Sequence, residues 1–275
     1  MLLNAPSFII AADGAEVIFS NVSISDIICS NLCKFIQANL NTMISIFNSS
    51  FNGIQLIDSQ FFNANDSSII LDTIYFFNNY VKSEMYSQFV TSFINSNSNV
   101  TIINSLFESN IISNHSSLLF FNPNDQDQFC LNYSIFQNNQ GIYSASYLIF
   151  ITGSSSSSYK MNEVFFLNNT GFESIIDLQV ASGFLTSSNL TFNFSCANQV
   201  MHLKDLKYIL INSLICSNDN LNCSQNSGPC LLAEDNQELT FINIEISNNI
   251  ARSNVAGVII TQSSNTIGIS TQNLS

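Results

Sequence analysis

The stretch VTIINSLFESN, residues Val100–Asn110, returns in outline along the chain at a nearly constant interval. Each copy closes on an Asn, and these closing residues serve as anchors: Asn79, Asn110, Asn139, Asn169, Asn198, Asn218 and Asn248. The anchors lie 31, 29, 30, 29, 20 and 30 residues apart. A repeat of this length is typical of a solenoid, in which each repeat forms one turn and contacts its neighbours.

Two columns of mostly apolar residues keep a fixed distance from the anchors. Four residues before the last six anchors stand Leu106, Ile135, Phe165, Phe194, Leu214 and Ile244. Eight residues before the same anchors stand Ile102, Leu131, Met161, Leu190, Leu210 and Thr240. Because successive side chains of a strand point to opposite sides, a spacing of four places both columns on one side of an extended chain. The sequence therefore predicts that the first column is buried and stacks one turn apart.

Each repeat divides into three short apolar bursts separated by polar turns. Between Asn110 and Asn139 the bursts are Leu118–Phe121, Phe129–Tyr133 and Ser134–Phe136. Bursts this short, rich in Ile, Leu, Phe, Val and Tyr, indicate strands, not helices. Three strands per turn predict an all-β chain that forms a parallel β-helix with turns of about 20–31 residues, stacked at about 4.8 Å.

The recurring Asn has a physical role in such a helix. Asn tolerates the left-handed backbone that a tight bend needs, and its amide can bond to the Asn above and below. An accidental echo in an Asn- and Ser-rich sequence and a leucine-rich repeat are the alternatives. The segment Phe241–Ala251 fits the leucine-rich frame, but Ser105 and Ser134 stand where that frame needs an aliphatic residue.

The charge balance excludes several classes of partner. The net charge is -13, with only six Lys and Arg in 275 residues. No basic patch can be assembled from so few cations, so nucleic acid and anionic membrane surfaces are excluded as partners.

The unbroken repeat predicts one parallel β-helix domain over residues 1–275, with no linker. The chain starts and stops in mid-pattern, as a segment of a larger surface protein would. No run of eighteen apolar residues occurs, so we expect membrane attachment only through regions outside this chain.

The seven cysteines favour disulfides and an extracellular or cell-surface location over free buried thiols, and their odd number leaves at least one unpaired. Neither a CxxC pair nor a nearby His completes a zinc site. Cys196 and Cys216 each stand two residues before an anchor, so we expect them to stack in consecutive turns. A disulfide between them is one outcome of that stacking, and Cys223 would then pair with Cys230.

Eleven N-x-[ST] sequons are also present, of which chance in so Asn-rich a chain supplies about eight. The glycosylation candidates include Asn48, Asn99, Asn132, Asn168, Asn189 and Asn222.

The tetrapeptides FFNN, FESN, FQNN and FLNN, which close at Asn79, Asn110, Asn139 and Asn169, resemble the F-x-x-N repeats of chlamydial polymorphic outer membrane proteins. They are also similar to repeats in large β-helical surface proteins of protists with pectin-lyase-like helices. The resemblance covers roughly residues 20–261. It implies a right-handed helix, a surface location and an adhesive or structural role.

Catalytic residues are the last class to consider, because many β-helix proteins cleave polysaccharides. Lyases need a basic residue, and hydrolases need two or three carboxylates on the helix wall. The acidic pair Asp125 and Asp127 lies in a turn beside Asn124, where Asp is ordinary turn chemistry or a calcium ligand. His115 and His202 are far apart in sequence. The sequence thus predicts a non-catalytic surface protein without cofactor or metal, with glycans or other surface proteins as partners; a carbohydrate-active protein is the alternative.

Overall fold

The computed structural model describes residues 2–3, 7–11, 14–30, 32–83, 91–142, 145–153, 156–217, 228–247, 258–261 and 268–274. In these ranges all the secondary-structure elements are β-strands, and all the strand pairings are parallel. The strands stack into a β-solenoid of about eight turns. The predicted all-β parallel helix is therefore confirmed.

Each turn passes through three faces. Face 1 is a 13-stranded sheet, and faces 2 and 3 together form a 16-stranded sheet that is joined by Thr170–Val180. Face 1 contains Glu16–Ser20, Ser23–Ser25, Met43–Asn52, Ser68–Phe77, Val100–Ile103, Leu106–Glu108, Gln128–Asn132, Ile135–Gln137, Ser158–Leu167, Phe184–Asn193, Tyr208–Ser217, Glu238–Ser247 and Gly268–Leu274. Face 2 contains Leu2–Leu3, Ile28–Ser30, Gln55–Ile57, Tyr80–Lys82, Ile111–Ser113, Gln140–Ile142 and the starts of Thr170–Val180 and Cys196–Lys204. Face 3 contains Ser7–Ala11, Lys34–Asn39, Gln60–Asn65, Thr91–Ser96, Ser116–Phe121, Tyr147–Gly153, the rest of Thr170–Val180 and of Cys196–Lys204, Leu231–Glu234 and Val258–Thr261.

The three predicted bursts per repeat map unevenly onto these faces. Phe129–Tyr133 and Ser134–Phe136 both belong to face 1, and Leu118–Phe121 belongs to face 3. Face 2 was missed because its first strands are only two or three residues long, as in Ile111–Ser113. The number of faces was predicted correctly, but their assignment to the bursts was wrong.

The innermost column of face 1 is a stack of phenylalanine rings. Consecutive rings have centroids 4.5 to 5.0 Å apart and interplanar angles of at most 15°. The stacked residues are Phe51, Phe76, Phe107, Phe136, Phe166 and Phe192. Phe76, Phe107, Phe136 and Phe166 are the Phe of the F-x-x-N motif, so the repeat seen in the sequence forms the middle of this core stack.

The column predicted to be buried is displaced from this spine by one residue. Leu106, Ile135 and Phe165 do stack in register, but they point outward, and Phe165 is 38% exposed. Phe194 lies at a bend with 41% exposure, so its predicted burial is also wrong. Leu214 is fully buried, but it belongs to a different column, with Leu190 before it and Ile244 after it.

A left-handed residue in the middle of face 1 causes this displacement. Asn104 has φ 51° and separates the strands Val100–Ile103 and Leu106–Glu108. One residue in this conformation shifts the alternation of side chains, so Ile102 points inward but Leu106 points outward. The spacing-of-four rule holds only for an unbroken strand.

The column eight residues before the anchors was predicted correctly in its first half. Ile102, Leu131 and Met161 stack in register and are buried. Their partner in the next turn is Ser187, and the predicted Leu190 lies in another column.

No turn of 20 residues exists among the described pairings. Residues paired across consecutive turns of face 1 lie from 24 positions apart, for Ser187 and Ile211, to 31, for Leu71 and Ile102. Cys196 pairs with Thr170 at the start of face 2, whereas Cys216 pairs with Phe192 on face 1. The two cysteines therefore do not stack, and the inferred 20-residue turn is wrong.

Asn79, Asn110, Asn139 and Asn169 form a buried ladder at the corner between faces 1 and 2. The Oδ1 atom of Asn139 accepts from the backbone N of Asn110 at 3.0 Å and from its Nδ2 at 2.9 Å. The Nδ2 atom of Asn139 donates to the carbonyl O of Phe107 at 3.0 Å and to Asn169 Oδ1 at 2.9 Å. The predicted bonding between anchor amides is confirmed for these four residues.

The ladder ends at Ser195, not at the predicted anchor Asn198. Ser195 Oγ accepts from the backbone N of Asn169 at 3.3 Å and donates to the carbonyl O of Phe166 at 3.1 Å. The left-handed conformation is taken by the residue before each ladder member, such as Asn138 with φ 55°. Bending the chain and bonding the turns together are thus divided between two neighbouring residues. The last two anchors, Asn218 and Asn248, lie outside the described residues.

Two disulfides lie within the described residues. Cys29 and Cys33, with Cα atoms 5.6 Å apart, close the bend between faces 2 and 3. Cys216 bonds to Cys230, with Cα atoms 6.4 Å apart, and both are buried. The predicted pairings of Cys216 with Cys196 and of Cys230 with Cys223 are therefore wrong. Cys216 points inward from face 1, one turn after Phe192, the last ring of the phenylalanine stack. Its partner Cys230 directly precedes the face 3 strand Leu231–Glu234, which explains the pairing.

Candidate functional site

A line of stacked side chains on the outer side of face 3 combines aromatic rings with ionisable groups. Phe120, Phe150, Asp177 and His202 occupy equivalent positions in four consecutive turns. Equivalent positions in neighbouring parallel strands are about 4.8 Å apart, so each of these residues lies beside the next. The wall therefore changes from aromatic to ionisable along the solenoid axis.

His202 lies between two carboxylates. Its Nδ1 atom is 3.1 Å from Asp177 Oδ1, and its Nε2 atom is 3.0 Å from Glu234 Oε2. Gln179 Nε2 donates to the same Asp177 oxygen at 3.0 Å. A neutral imidazole donates through only one nitrogen, so two ionised carboxylates at these positions favour the imidazolium form, which donates through both.

The electrostatic balance at His202 agrees with this geometry. Burial lowers the pKa of His202, because it disfavours the charged ring. The hydrogen bond and charge of Asp177, followed by those of Glu234, raise the pKa more strongly, so that the net shift is upward. With the ring protonated, Asp177, His202 and Glu234 form an ion-paired crosslink that spans three turns.

Tyr147 lies next to this stack on the same wall. Its ring stacks on that of Phe150, with centroids 4.7 Å apart. Burial, with the nearby charges of Asp177 and Glu173, raises the pKa of Tyr147 to about 12. Glu173 in turn accepts from Asn198 Nδ2 at 2.9 Å. Tyr147 is consequently a neutral hydroxyl at physiological pH, held beside two carboxylates.

The predicted acidic pair Asp125 and Asp127 lies in the turn between faces 3 and 1, after the strand Ser116–Phe121, and is not part of the His202 cluster. Asp127 Oδ2 accepts from the backbone N of Asn124 at 2.9 Å, and Asp125 Oδ1 accepts from the backbone N of Ser156 at 3.3 Å. Burial raises the pKa of Asp127, the Asn124 amide lowers it, and the charge of Asp66 raises it. These bonds to backbone amides are the turn chemistry expected from the sequence.

The remaining sequence candidates are scattered. Asn48, Asn99, Asn168 and Asn189 are exposed, Asn132 is half-buried, and Asn222 lies outside the described residues, as does Cys223. The backbone of Cys196 belongs to the strand Cys196–Lys204, and its side chain is outside the description. Cys130 is unpaired and half-buried on the outer side of face 1, where burial raises the pKa of its thiol and Lys160 lowers it.

A second surface, the outer wall of face 1, holds the exposed aromatic rings of the described chain. Tyr75, Leu106, Ile135 and Phe165 stack in register along the solenoid axis, and we call these four residues the outer strip. Tyr75 is 46% exposed, and Tyr133, at the bend beside Ile135, is 51% exposed. Between the two rings of the strip, Leu106 and Ile135 are half-buried.

Within the described ranges, no group of three or more His, Cys, Asp and Glu side chains is arranged to hold a metal ion. The same ranges contain no helix long and apolar enough to cross a membrane.

Comparison with known proteins yields a weak structural neighbour. No protein family and no curated relative matches the sequence. Among solved structures, the chain is similar to a catalytic domain of a GH87 α-1,3-glucanase in complex with tetrasaccharides, with 8% identity and a TM-score of 0.20. The match covers 97% of this chain and 60% of the glucanase domain. At this level of similarity the glucanase carries no argument about function.

Sequence reasoning missed the stack on face 3 because its members are far apart in the chain. Asp177 and His202 are separated by 25 residues, and His202 and Glu234 by 32. The available signal was that these separations are close to the repeat length. His202, interpreted from sequence as isolated, is therefore part of a cluster.

Proposed function

We propose that this chain is a non-catalytic extracellular or cell-surface β-solenoid with a structural or adhesive role. The observation that supports this most directly is that both ring nitrogens of His202 are occupied by carboxylates of its own neighbours. General acid–base catalysis needs a side chain that exchanges a proton with the substrate. An imidazolium held between Asp177 and Glu234 acts instead as a tie between turns.

The construction of the solenoid also supports a structural role. The asparagine ladder and the phenylalanine stack repeat the same contacts in turn after turn, which gives a long wall of uniform geometry. Two disulfides support an oxidising, extracellular environment, because thiols are kept reduced in the cytosol.

A carbohydrate-active enzyme is the alternative, and one observation favours it. Glu173 and Asp177 lie close enough to Tyr147 to influence its pKa, and Glu234 follows on the same wall. Carboxylates on one wall are the groups that a glycoside hydrolase uses. In this chain, however, Asp177 and Glu234 are already bonded to His202, and Glu173 is bonded to Asn198.

Turnover separates the two functions. The chain is incubated with neutral glucans and with pectate and alginate, and the appearance of reducing ends or unsaturated products is measured over a day. We expect no products. Product formation that disappears in Asp177→Asn or Glu234→Gln would contradict the proposal, as would activity that disappears in Asp125→Asn or Asp127→Asn.

A further inference from the structure

We propose that the stack of Asp177, His202 and Glu234 is a pH-sensitive crosslink that holds the C-terminal turns to the rest of the solenoid, so that these turns open first when the pH rises. The C-terminal turns are the described residues 196–217 and 228–247. They meet the preceding turns where Cys196–Lys204 pairs with Thr170–Val180, and we call this pairing the junction. The inference goes beyond the proposed structural role, because it concerns how one part of the solenoid responds to pH.

The two repeating connectors of the solenoid end before the C-terminal turns begin. The asparagine ladder ends at Ser195, and the last ring of the phenylalanine stack is Phe192. In the next two turns the column of the rings continues with Cys216 and Ile246. The register of the junction also shifts near the start of Thr170–Val180. The junction is therefore built differently from the pairings between the earlier turns.

Two connectors within the C-terminal turns do not depend on a titratable group. One is the disulfide between Cys216 and Cys230. The other is Asn236, whose Oδ1 atom accepts from the backbone N of Leu206 at 2.9 Å and whose Nδ2 atom donates to the carbonyl O of Leu203 at 3.0 Å. Asn236 is 2% exposed, so it joins two turns as the ladder asparagines do. These connectors should keep the C-terminal turns together as one unit.

Across the junction, by contrast, carboxylates take part in most of the described side-chain hydrogen bonds. The paired side chains are Asp177 with His202 at 3.1 Å, Glu173 with Asn198 at 2.9 Å, and Ser174 with Gln199 at 3.3 Å. Asp177 and His202 are the most shielded charged pair among them, with exposures of 2% and 8%. Histidine is the side chain whose charge ordinarily changes near neutral pH. The junction is therefore the part of the C-terminal wall that a change of pH can weaken.

Loss of the proton from His202 leaves a buried anion without its counter-charge. A neutral ring still donates one hydrogen bond, and Gln179 Nε2 still donates to Asp177 at 3.0 Å. The side chain of Glu234 is 32% exposed and can be solvated by water, whereas that of Asp177 is only 4% exposed. A buried charge whose partner is removed strongly destabilises the closed form. Opening the junction hydrates Asp177, so deprotonation of His202 favours the open form.

The direction of the pH effect follows from the balance at His202. Burial lowers the pKa of His202, but the hydrogen bonds and charges of Asp177 and Glu234 raise it more, so the pKa lies above 6.5 in the folded chain. The crosslink therefore contributes fully below about pH 6.5 and is lost as the pH rises through the folded pKa. Within that window the opening equilibrium shifts by up to about tenfold per pH unit. The other titratable groups on the neighbouring strands and bends are Tyr147, Glu173, Lys204, Asp205 and Asp235.

Hydrogen–deuterium exchange between about pH 6 and about pH 9 measures the opening of each segment. Rates are divided by the intrinsic rate at each pH, under conditions where reclosing is faster than exchange. We expect the protection of Tyr208–Ser217 and Glu238–Ser247 to fall above pH 6.5 by up to about tenfold per pH unit and then to level off. The protection of Leu106–Glu108 and Ile135–Gln137, in the ladder turns, should stay constant. This comparison uses the parent chain alone.

Two variants separate the charge of the ring from its packing. His202→Gln keeps the other titratable groups, so it should lower the protection of the C-terminal turns at pH 6 and remove its pH dependence. Asp177→Asn removes the buried anion, so at pH 9 it should protect these turns better than the parent does. His115→Gln is the matched control, because His115 is exposed at the bend before Ser116–Phe121, outside the stack. Circular dichroism at pH 6 verifies that each variant is folded.

Three results would overturn the inference. The first is that the protection of the C-terminal turns does not change with pH in the parent. The second is a fall of equal size in the ladder turns, because the solenoid would then open as a whole. The third is a pH dependence that His202→Gln leaves unchanged. None of these measurements involves turnover, so their outcome is independent of the non-catalytic function.

Discussion

Replacing Asn139 by Ala tests whether the asparagine ladder holds the solenoid together. The Asn139 amide makes four hydrogen bonds, and two of these satisfy the backbone N–H of Asn110 and the backbone C=O of Phe107. Both residues are completely buried, so water cannot replace the lost partners. An unpaired buried polar group costs about 1–3 kcal/mol, so the two backbone groups together cost about 2–6 kcal/mol.

The chain provides its own rescue variant and control for this experiment. Ser195 already bonds one backbone N–H and one backbone C=O at an equivalent ladder position, so Asn139→Ser should recover at least half of the loss. Asn138→Gly is the control, since Asn138 is exposed and left-handed, a conformation that Gly adopts freely.

Urea unfolding followed by circular dichroism measures the free energy of unfolding of each variant. The slope of the unfolding free energy against urea concentration should be the same in all variants. A changed slope would indicate that parts of the repeat unfold separately, and the free energies could then not be compared. If Asn139→Ala is as stable as Asn138→Gly, or if Asn139→Ser is no better than Asn139→Ala, the ladder does not stabilise the fold as we argue.

Three further predictions concern the core, the stack and the disulfides. Leu214→Asp places a charge at a fully buried site and should cost several kcal/mol, whereas Ile215→Asp, at a position 38% exposed, should melt close to the parent. The pKa of His202 is raised above 6.5 in the folded chain, so its ion pairs stabilise fully below about pH 6.5 and are lost as the pH rises through the folded pKa. The stability difference between the parent and His202→Gln should therefore shrink as the pH increases, and a difference that grows would refute the stack. Peptide mapping without reduction should recover Cys29 linked to Cys33 and Cys216 linked to Cys230, and a Cys196–Cys216 peptide would show the face assignment to be wrong.

The fold was predictable from sequence because the F-x-x-N motif marks both ends of one corner. The Phe of the motif enters the core stack and the Asn enters the ladder, so both repeat in every turn from Asn79 to Asn169. The phase within face 1 was not predictable from alternation. Its left-handed residue is Asn at position 104 but Tyr at 133 and Glu at 163, and no residue type marks it consistently.

Part of the sequon excess has a structural origin. Ser134 Oγ donates to the carbonyl O of Asn132 at 2.8 Å, across the left-handed Tyr133. Ser49 and Ser105 make the same bond to the residue two positions earlier. A buried Ser directly after the left-handed residue makes this bond at these three bends, and where the residue two positions earlier is Asn, as at Asn132, it generates an N-x-S sequence. Glycosylation at the six candidate sites stays a prediction.

The candidate site on face 3 was hidden for a different reason. A column on a solenoid wall is assembled from residues one turn apart, and the turns vary in length from 24 to 31 residues. No fixed spacing therefore connects Asp177, His202 and Glu234, although each is the direct neighbour of the next in space.

The direction of the hydrogen bonds in the asparagine ladder determines where whole turns can be inserted or deleted. Each Asn offers its Oδ1 to the turn before it and takes its own partner from the turn after it, so every interior unit has the same two connectors. A segment that begins after one ladder Asn and ends with the next, such as residues 111–139, can be duplicated or deleted with every connector matched again. The chain can therefore change length in whole turns without redesign, and only a terminating residue of the kind found at Ser195 fixes where the series stops.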